Sequence, residues 1–150
     1  MEKNFKISLS MFDPTTGISI VRIETKIGTF VGTAFLQDED KENSSQLAGC
    51  RLAELKAKRE YYEALVKRLN LEARGMKQIC DAIDTSIKVT DKNDLRPAAK
   101  IAKRNYNKKL QEIKKVKQRI ADITNYIKYT IETRDKVIKK LKERTKKDNI

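Results

Sequence analysis

Histidine is absent from the 150 residues, cysteine and proline occur twice each, and glycine five times. Without imidazole, neither a serine or cysteine triad with a histidine base nor a histidine-built zinc site can be assembled. Cys50 and Cys80 fall on one predicted helix, where a rise of 1.5 Å per residue sets them about 45 Å apart. That is too far for a disulfide or for joint metal ligation, so both are expected to be buried, small apolar side chains. Gly28 and Gly32 lie in a hairpin, without the helix N-terminus and lysine that a phosphate-cradling loop requires. Long apolar runs are missing too. Nothing approaches a membrane span, and the terminus MEKNFKISLS lacks a signal-peptide core, so a cytoplasmic protein is expected.

Charge is what the chain has in quantity. The charged fraction, 37%, nearly equals the hydrophobic fraction, 39%, a balance that suits long solvent-exposed helices. The formal net charge of +13 is unevenly placed: residues 94–150 carry 19 basic against 7 acidic side chains, whereas residues 1–43 carry 5 against 7. Attraction to phosphate or to an acidic partner therefore belongs to the last third, although a lysine-rich helix face also serves solubility alone.

The first forty residues read as sheet. Phe5, Ile7, Leu9 and Met11 alternate with polar residues, the period of a strand with one buried face. Asp13, Pro14 and Gly17 supply turn chemistry, and residues 18–25 and 29–36 read as two more strands around a tight turn at 26–28. Gly32, inside the third strand, suggests a bulge or a close backbone approach. Ser44 or Ser45 can cap a helix starting near Gln46. From there Ala48, Leu55, Tyr62, Leu69, Met76 and Ile83 recur every seven residues, with Leu65 and Ile79 as companions and a row through Val66, Ala73, Cys80 and Ile87 beside them. The phase runs through Gly75, which predicts one helix. A second helix, capped by Asp94 and with Pro97 in its first turn, repeats the pattern at Ala99, Tyr106, Ile113, Ile120 and Ile127.

Two heptad helices joined by a short loop predict an antiparallel hairpin. Pairing Ile83 with Ala99 sets Met76 against Tyr106 and Leu69 against Ile113, and places Glu72 opposite Lys109, a polar pair that penalises slipped registers. The expected architecture is α+β in a single domain, residues 1–150. An N-terminal three-stranded antiparallel meander (1–43) packs on the open end of a long two-helix coiled-coil hairpin (44–150), covering Val137, Ile138 and Leu141. An extra apolar row at Val66, Ile87, Leu110, Ile131 and Ile138 points to a homodimer.

For chemistry, Asp38, Glu39, Asp40 and Glu42 form the one acidic cluster able to attract Mg²⁺ or Ca²⁺, but their spacing matches no EF-hand loop, and carboxylates before a helix also stabilise its positive end. No metal, cofactor, small-molecule substrate or enzymatic activity is expected. Lys100, Lys103, Arg104, Lys108, Lys114, Lys115 and Arg119 lie largely off the seam, as a row that matches a phosphate backbone. Tyr61, Tyr126 and Tyr129 sit outside the main heptad row and can stack on bases, anchor a partner, or pack internally.

The stretch GISIVRIETKIGTFVGTA followed by LQDEDKENSSQLAGCRLAELKAKREYY resembles a family of small uncharacterised proteins of phages and mobile elements of Gram-positive bacteria. The resemblance covers roughly residues 11–62, rests on glycine turns and an Ala-Gly-Cys helix start, and assigns no residue a role. It implies action in phage replication or host takeover, including inhibition of defence nucleases such as CRISPR effectors. The expected function is thus a non-catalytic binding protein whose basic hairpin engages nucleic acid or a nucleoprotein complex. The alternatives are a scaffold that binds a protein through its apolar stripe and tyrosines, and a metal-dependent nuclease built on the 38–42 acids.

Overall fold

Three strands follow one another along the chain, β1 (Phe5–Asp13), β2 (Ile18–Thr25) and β3 (Gly28–Phe35), and pair antiparallel in that order. They belong to a computed structural model that describes residues 5–35, 46–90 and 93–148. The acids at 38–42 and the capping residues Ser44 and Ser45 lie outside the described residues, as do the side chains of Ala48, Arg134, Val137, Ile138 and Leu141 and hence the cover expected for the last three.

The turns use the chemistry read from the sequence. Asp13 Oδ1 accepts the Thr15 amide at 2.9 Å, and the Gly17 amide donates to the Asp13 carbonyl at 2.8 Å with Gly17 at φ 74°. The Thr15 amide, followed by the Thr16 hydroxyl, holds the Asp13 carboxyl below the ordinary carboxylate range. At the second turn Gly28, at φ 144°, opens β3, and Thr25 Oγ1 accepts the Ile27 amide at 3.2 Å.

Alternation in β1 departs from the expected pattern. A bulge between Ile7 and Leu9 shifts the register, so that Ile7 pairs with Ile23 but Leu9 pairs with Arg22. One extra residue turns every later side chain to the opposite face. Ser10 and Phe12 therefore share a face with the buried Val21 and Ser19, whereas Met11 pairs with Ile20 on the other face and is 52% exposed. The single buried row expected at Phe5, Ile7, Leu9 and Met11 is accordingly split across two faces.

Two long helices follow, α1 (Gln46–Thr90) and α2 (Arg96–Asp148), with a 3₁₀ turn at Asn93–Leu95 ahead of α2. Pro97 is the second residue of α2, where its missing amide leaves no helical bond unmade. Helix α1 passes through Gly75 without a break. The chain divides into two compact units, Met1–Tyr61 with Ile120–Ile150 and Tyr62–Arg119.

In the first unit the meander packs on the start of α1. Gly49, Ala53, Ala57 and Tyr61 recur every four residues, one stripe of the helix. Small side chains let the backbones approach closely. A methyl group on Gly32 would overlap the Ala53 carbonyl oxygen and lie 2.6 Å from the Ala57 amide nitrogen, and one on Gly49 would collide with the Ser19 hydroxyl. Gly32 is thus the close approach, and the bulge is in β1. The stripe ends on Tyr61, whose ring meets Phe5 and Phe30 edge-on with centroids 6.1 and 5.8 Å away. Val21, Ile23, Ala34, Leu52 and Ile127 complete the core of this unit.

In the second unit the two helix segments run antiparallel. Lys109 Nζ donates to Glu72 Oε2 at 2.9 Å, and Arg119 Nη1 to the Tyr62 hydroxyl at 3.3 Å, so residues rise along α1 as they fall along α2. The expected polar pair is therefore formed, with Leu69, Ala73, Ile113 and Val116 buried around it. Ile79 is the exception. It is 57% exposed because the small residues on α2 beside it, Ala98 and Ala102, are too short to cover it. Cys50 and Cys80 are free and half-buried, less enclosed than expected; Cys80 borders a groove.

Candidate nucleic-acid interface

The cationic row lies on α2 within the second unit. Lys100, Lys103, Arg104, Lys108, Lys114 and Lys115 are all exposed. Their spacings of three, four, seven and eleven residues return to nearly the same side of the helix. The buried Val116 lies about 200° round from Lys114, so the row faces away from the seam. From Lys100 to Gln118 there is a single acid, Glu112, and its Oε2 is held 3.3 Å from Lys109 Nζ. With Glu112 engaged by Lys109, the cationic row from Lys100 to Lys115 extends over about 22 Å, or about four helical turns.

Arg119, the seventh residue of the row, is placed differently. It is half-buried, hydrogen-bonded to the Tyr62 hydroxyl, with its guanidinium carbon 5.8 Å from the Tyr62 ring centroid. It serves the seam as well as the surface. Lys109 is also occupied: the hydrogen bond it donates to Glu72 leads in holding its pKa above the ordinary lysine value, against partial burial.

Two recesses open beside the row. Lys100, Lys103, Arg104, Asn107, Lys108 and Gln111 line a shallow depression. Lys100 and Lys103 also border a groove of about 470 Å³ shared with Tyr106 and, from α1, Lys77, Asp81 and Asp84. Spacing alone did not mark Tyr106 as anything but a seam residue. Its place beside two lysines depends on which way α1 packs against it.

The tyrosines divide. Tyr61 is buried beneath Phe5 and Phe30 and takes the internal-packing role. Tyr126 and Tyr129, in the first unit, are exposed with ring centroids 6.3 Å apart, and Arg51 Nη2 donates to the Tyr126 hydroxyl at 3.1 Å. Among the described residues, no group of three or more Cys, Asp or Glu could hold a metal ion, and no helix is long and apolar enough to cross a membrane. No protein-family model, curated protein or solved structure matches the chain.

Proposed function

We propose that this is a non-catalytic, cytoplasmic binding protein of phage type whose α2 face, from Lys100 to Lys115, engages the phosphate backbone of a nucleic acid, free or carried in a nucleoprotein complex. The observation that carries the reading is the row of six exposed cations along α2, with Glu112 the single acid on that helix between Lys100 and Gln118. Each lysine or arginine that meets a phosphate releases a counterion, so affinity falls steeply with salt and depends little on base sequence. The narrower role, blocking a host defence nuclease in the manner of an anti-CRISPR, is supported by the resemblance of residues 11–62 to phage proteins.

The test is binding of labelled DNA and RNA across a salt series. Six phosphate contacts predict a log–log slope near −5 on duplex DNA, about −0.9 per contact. Changing Lys100, Lys103, Arg104 and Lys108 to Gln should remove about four of those contacts and leave the circular dichroism unchanged. An unaltered slope in that variant rejects the interface.

A second reading, a scaffold that binds a protein partner, is favoured by the open face of the sheet. Met11, Val31 and Phe35 stand exposed there, and Tyr126 and Tyr129 are exposed in the same unit. Capture of a nuclease-treated host protein that persists at high salt would favour it. In either reading the row Val66, Ile87 and Leu110 of the second unit offers a face to a second copy, which sedimentation equilibrium would show as a dimer.

A further inference from the structure

We infer that the groove lined by Tyr106, Lys100, Lys103, Asp81 and Asp84 receives an unpaired nucleobase, so that the protein selects single-stranded nucleic acid over duplex. This rests on the phosphate-binding reading of α2 and assigns it a strandedness and a base-binding site.

Three features point to a base. The first is an aromatic surface next to the cations. Tyr106 is half-buried in the wall of the groove, whereas Tyr62, the other tyrosine of this unit, is buried in the seam. Every base has a π-face, and stacking on an aromatic side chain is the usual way in which a single strand is held without sequence preference. The second is continuity. Lys100 and Lys103 border both the groove and the depression that runs on through Arg104 and Lys108. A strand whose phosphates follow the row therefore passes the mouth of the groove.

The third is the placing of the acids. Asp81 and Asp84 line the groove from α1, across from Lys100 and Lys103. Carboxylates there accept hydrogen bonds from an exocyclic amino group, as on cytosine N4, while Lys77 and Arg96 in the same wall balance their charge. A backbone that follows the lysine row leaves a base free to turn into the groove and stack on Tyr106. A base stacked and paired inside a duplex cannot make that excursion without being extruded. The volume, about 470 Å³, falls within the range of small-ligand sites.

The test uses the full chain and fluorescence anisotropy at one fixed salt concentration. The probes are oligodeoxycytidine, oligothymidine, an abasic strand of equal length and a duplex. Oligodeoxycytidine should bind about tenfold more tightly than the abasic strand, the effect of roughly one stacked base, and more tightly than the duplex. Tyr106→Leu should bring it to the abasic level without altering abasic binding, while Tyr106→Phe retains it. Asp81→Ala with Asp84→Ala should strengthen all binding but erase the margin of cytidine over thymidine. Cys80 lines the same groove and gives a readout independent of affinity. In a Cys50→Ser background its alkylation should slow when oligodeoxycytidine is bound and not when duplex is bound. Equal affinity for the cytidine, abasic and duplex probes, or Cys80 alkylation unaffected by the single strand, overturns the groove and leaves the phosphate interface standing. Failure of every probe to bind overturns both.

Discussion

Gly32 and Ser19 show how narrowly the first unit is fitted. Gly32→Ala would drive a methyl group into the Ala53 carbonyl of α1, and such overpacking costs about 1–3 kcal/mol because backbone on both sides must move. Gly75→Ala is the matched control. Nothing lies within 4 Å of its added carbon, so in mid-helix it should stabilise by about 0.5–1 kcal/mol. Ser19 presents the converse case. Its hydroxyl is fully buried without a hydrogen-bond partner and crowds Gly49. Ser19→Ala should therefore raise stability by about 1 kcal/mol. Urea unfolding of the three variants measures all of these shifts, and a destabilised Ser19→Ala would show that the hydroxyl is satisfied after all.

Among the elements, the α1–α2 pairing carries a pH signature. Glu72 is held below the ordinary glutamate range, first by the hydrogen bond from Lys109 and then by the charges of Lys109 and Arg68, against some burial. A carboxyl whose folded pKa is depressed stabilises the fold above its unfolded value, about 4.3, and loses that contribution as pH falls through the folded value. Lys109 is raised, so its share is complete below the unfolded lysine value and lost as pH climbs through the folded one. Glu72→Gln should thus be less stable than the parent at neutral pH, by under about 1 kcal/mol since the carboxylate is 42% exposed, and the gap should close in acid. Urea unfolding repeated down the pH range checks this. The register was legible in advance because heptad spacing and one charged pair leave little freedom. The sheet face of α1 was not. Gly49, Ala53 and Ala57 carry no hydrophobic signal, and only the close approach implied by Gly32 hinted at them. The β1 bulge was hidden for a related reason: Ile7, Leu9 and Met11 alternate perfectly in sequence, and the shift exists only in pairing with β2. Tyr106 likewise read as seam, because a periodic pattern locates a face and not the neighbour across it. The face switch predicts that Met11→Thr costs within about 0.5 kcal/mol, as at an ordinary surface site, while Phe12→Ala, on the helix-facing side, costs more.

For the whole molecule, the net charge of +13 opposes its own compaction. Added salt should raise the melting temperature, since screening relieves more repulsion than it weakens among exposed ion pairs. A polyanion such as heparin should raise it further by binding the folded α2 face. A melting temperature that falls with salt would mean that attractive pairs dominate. The division of the chain into units has a further consequence. Tyr62–Arg119 is one uninterrupted stretch, whereas the other unit is assembled from pieces on both sides of it. On the ribosome the inserted segment is complete as soon as Arg119 has emerged, while the sheet-bearing unit must wait for the chain beyond Ile120. The insertion is also the part whose length can change independently. Removing one heptad from α1 and its counterpart from α2 together would shorten the cationic track by about two helical turns without shifting the phase of either seam.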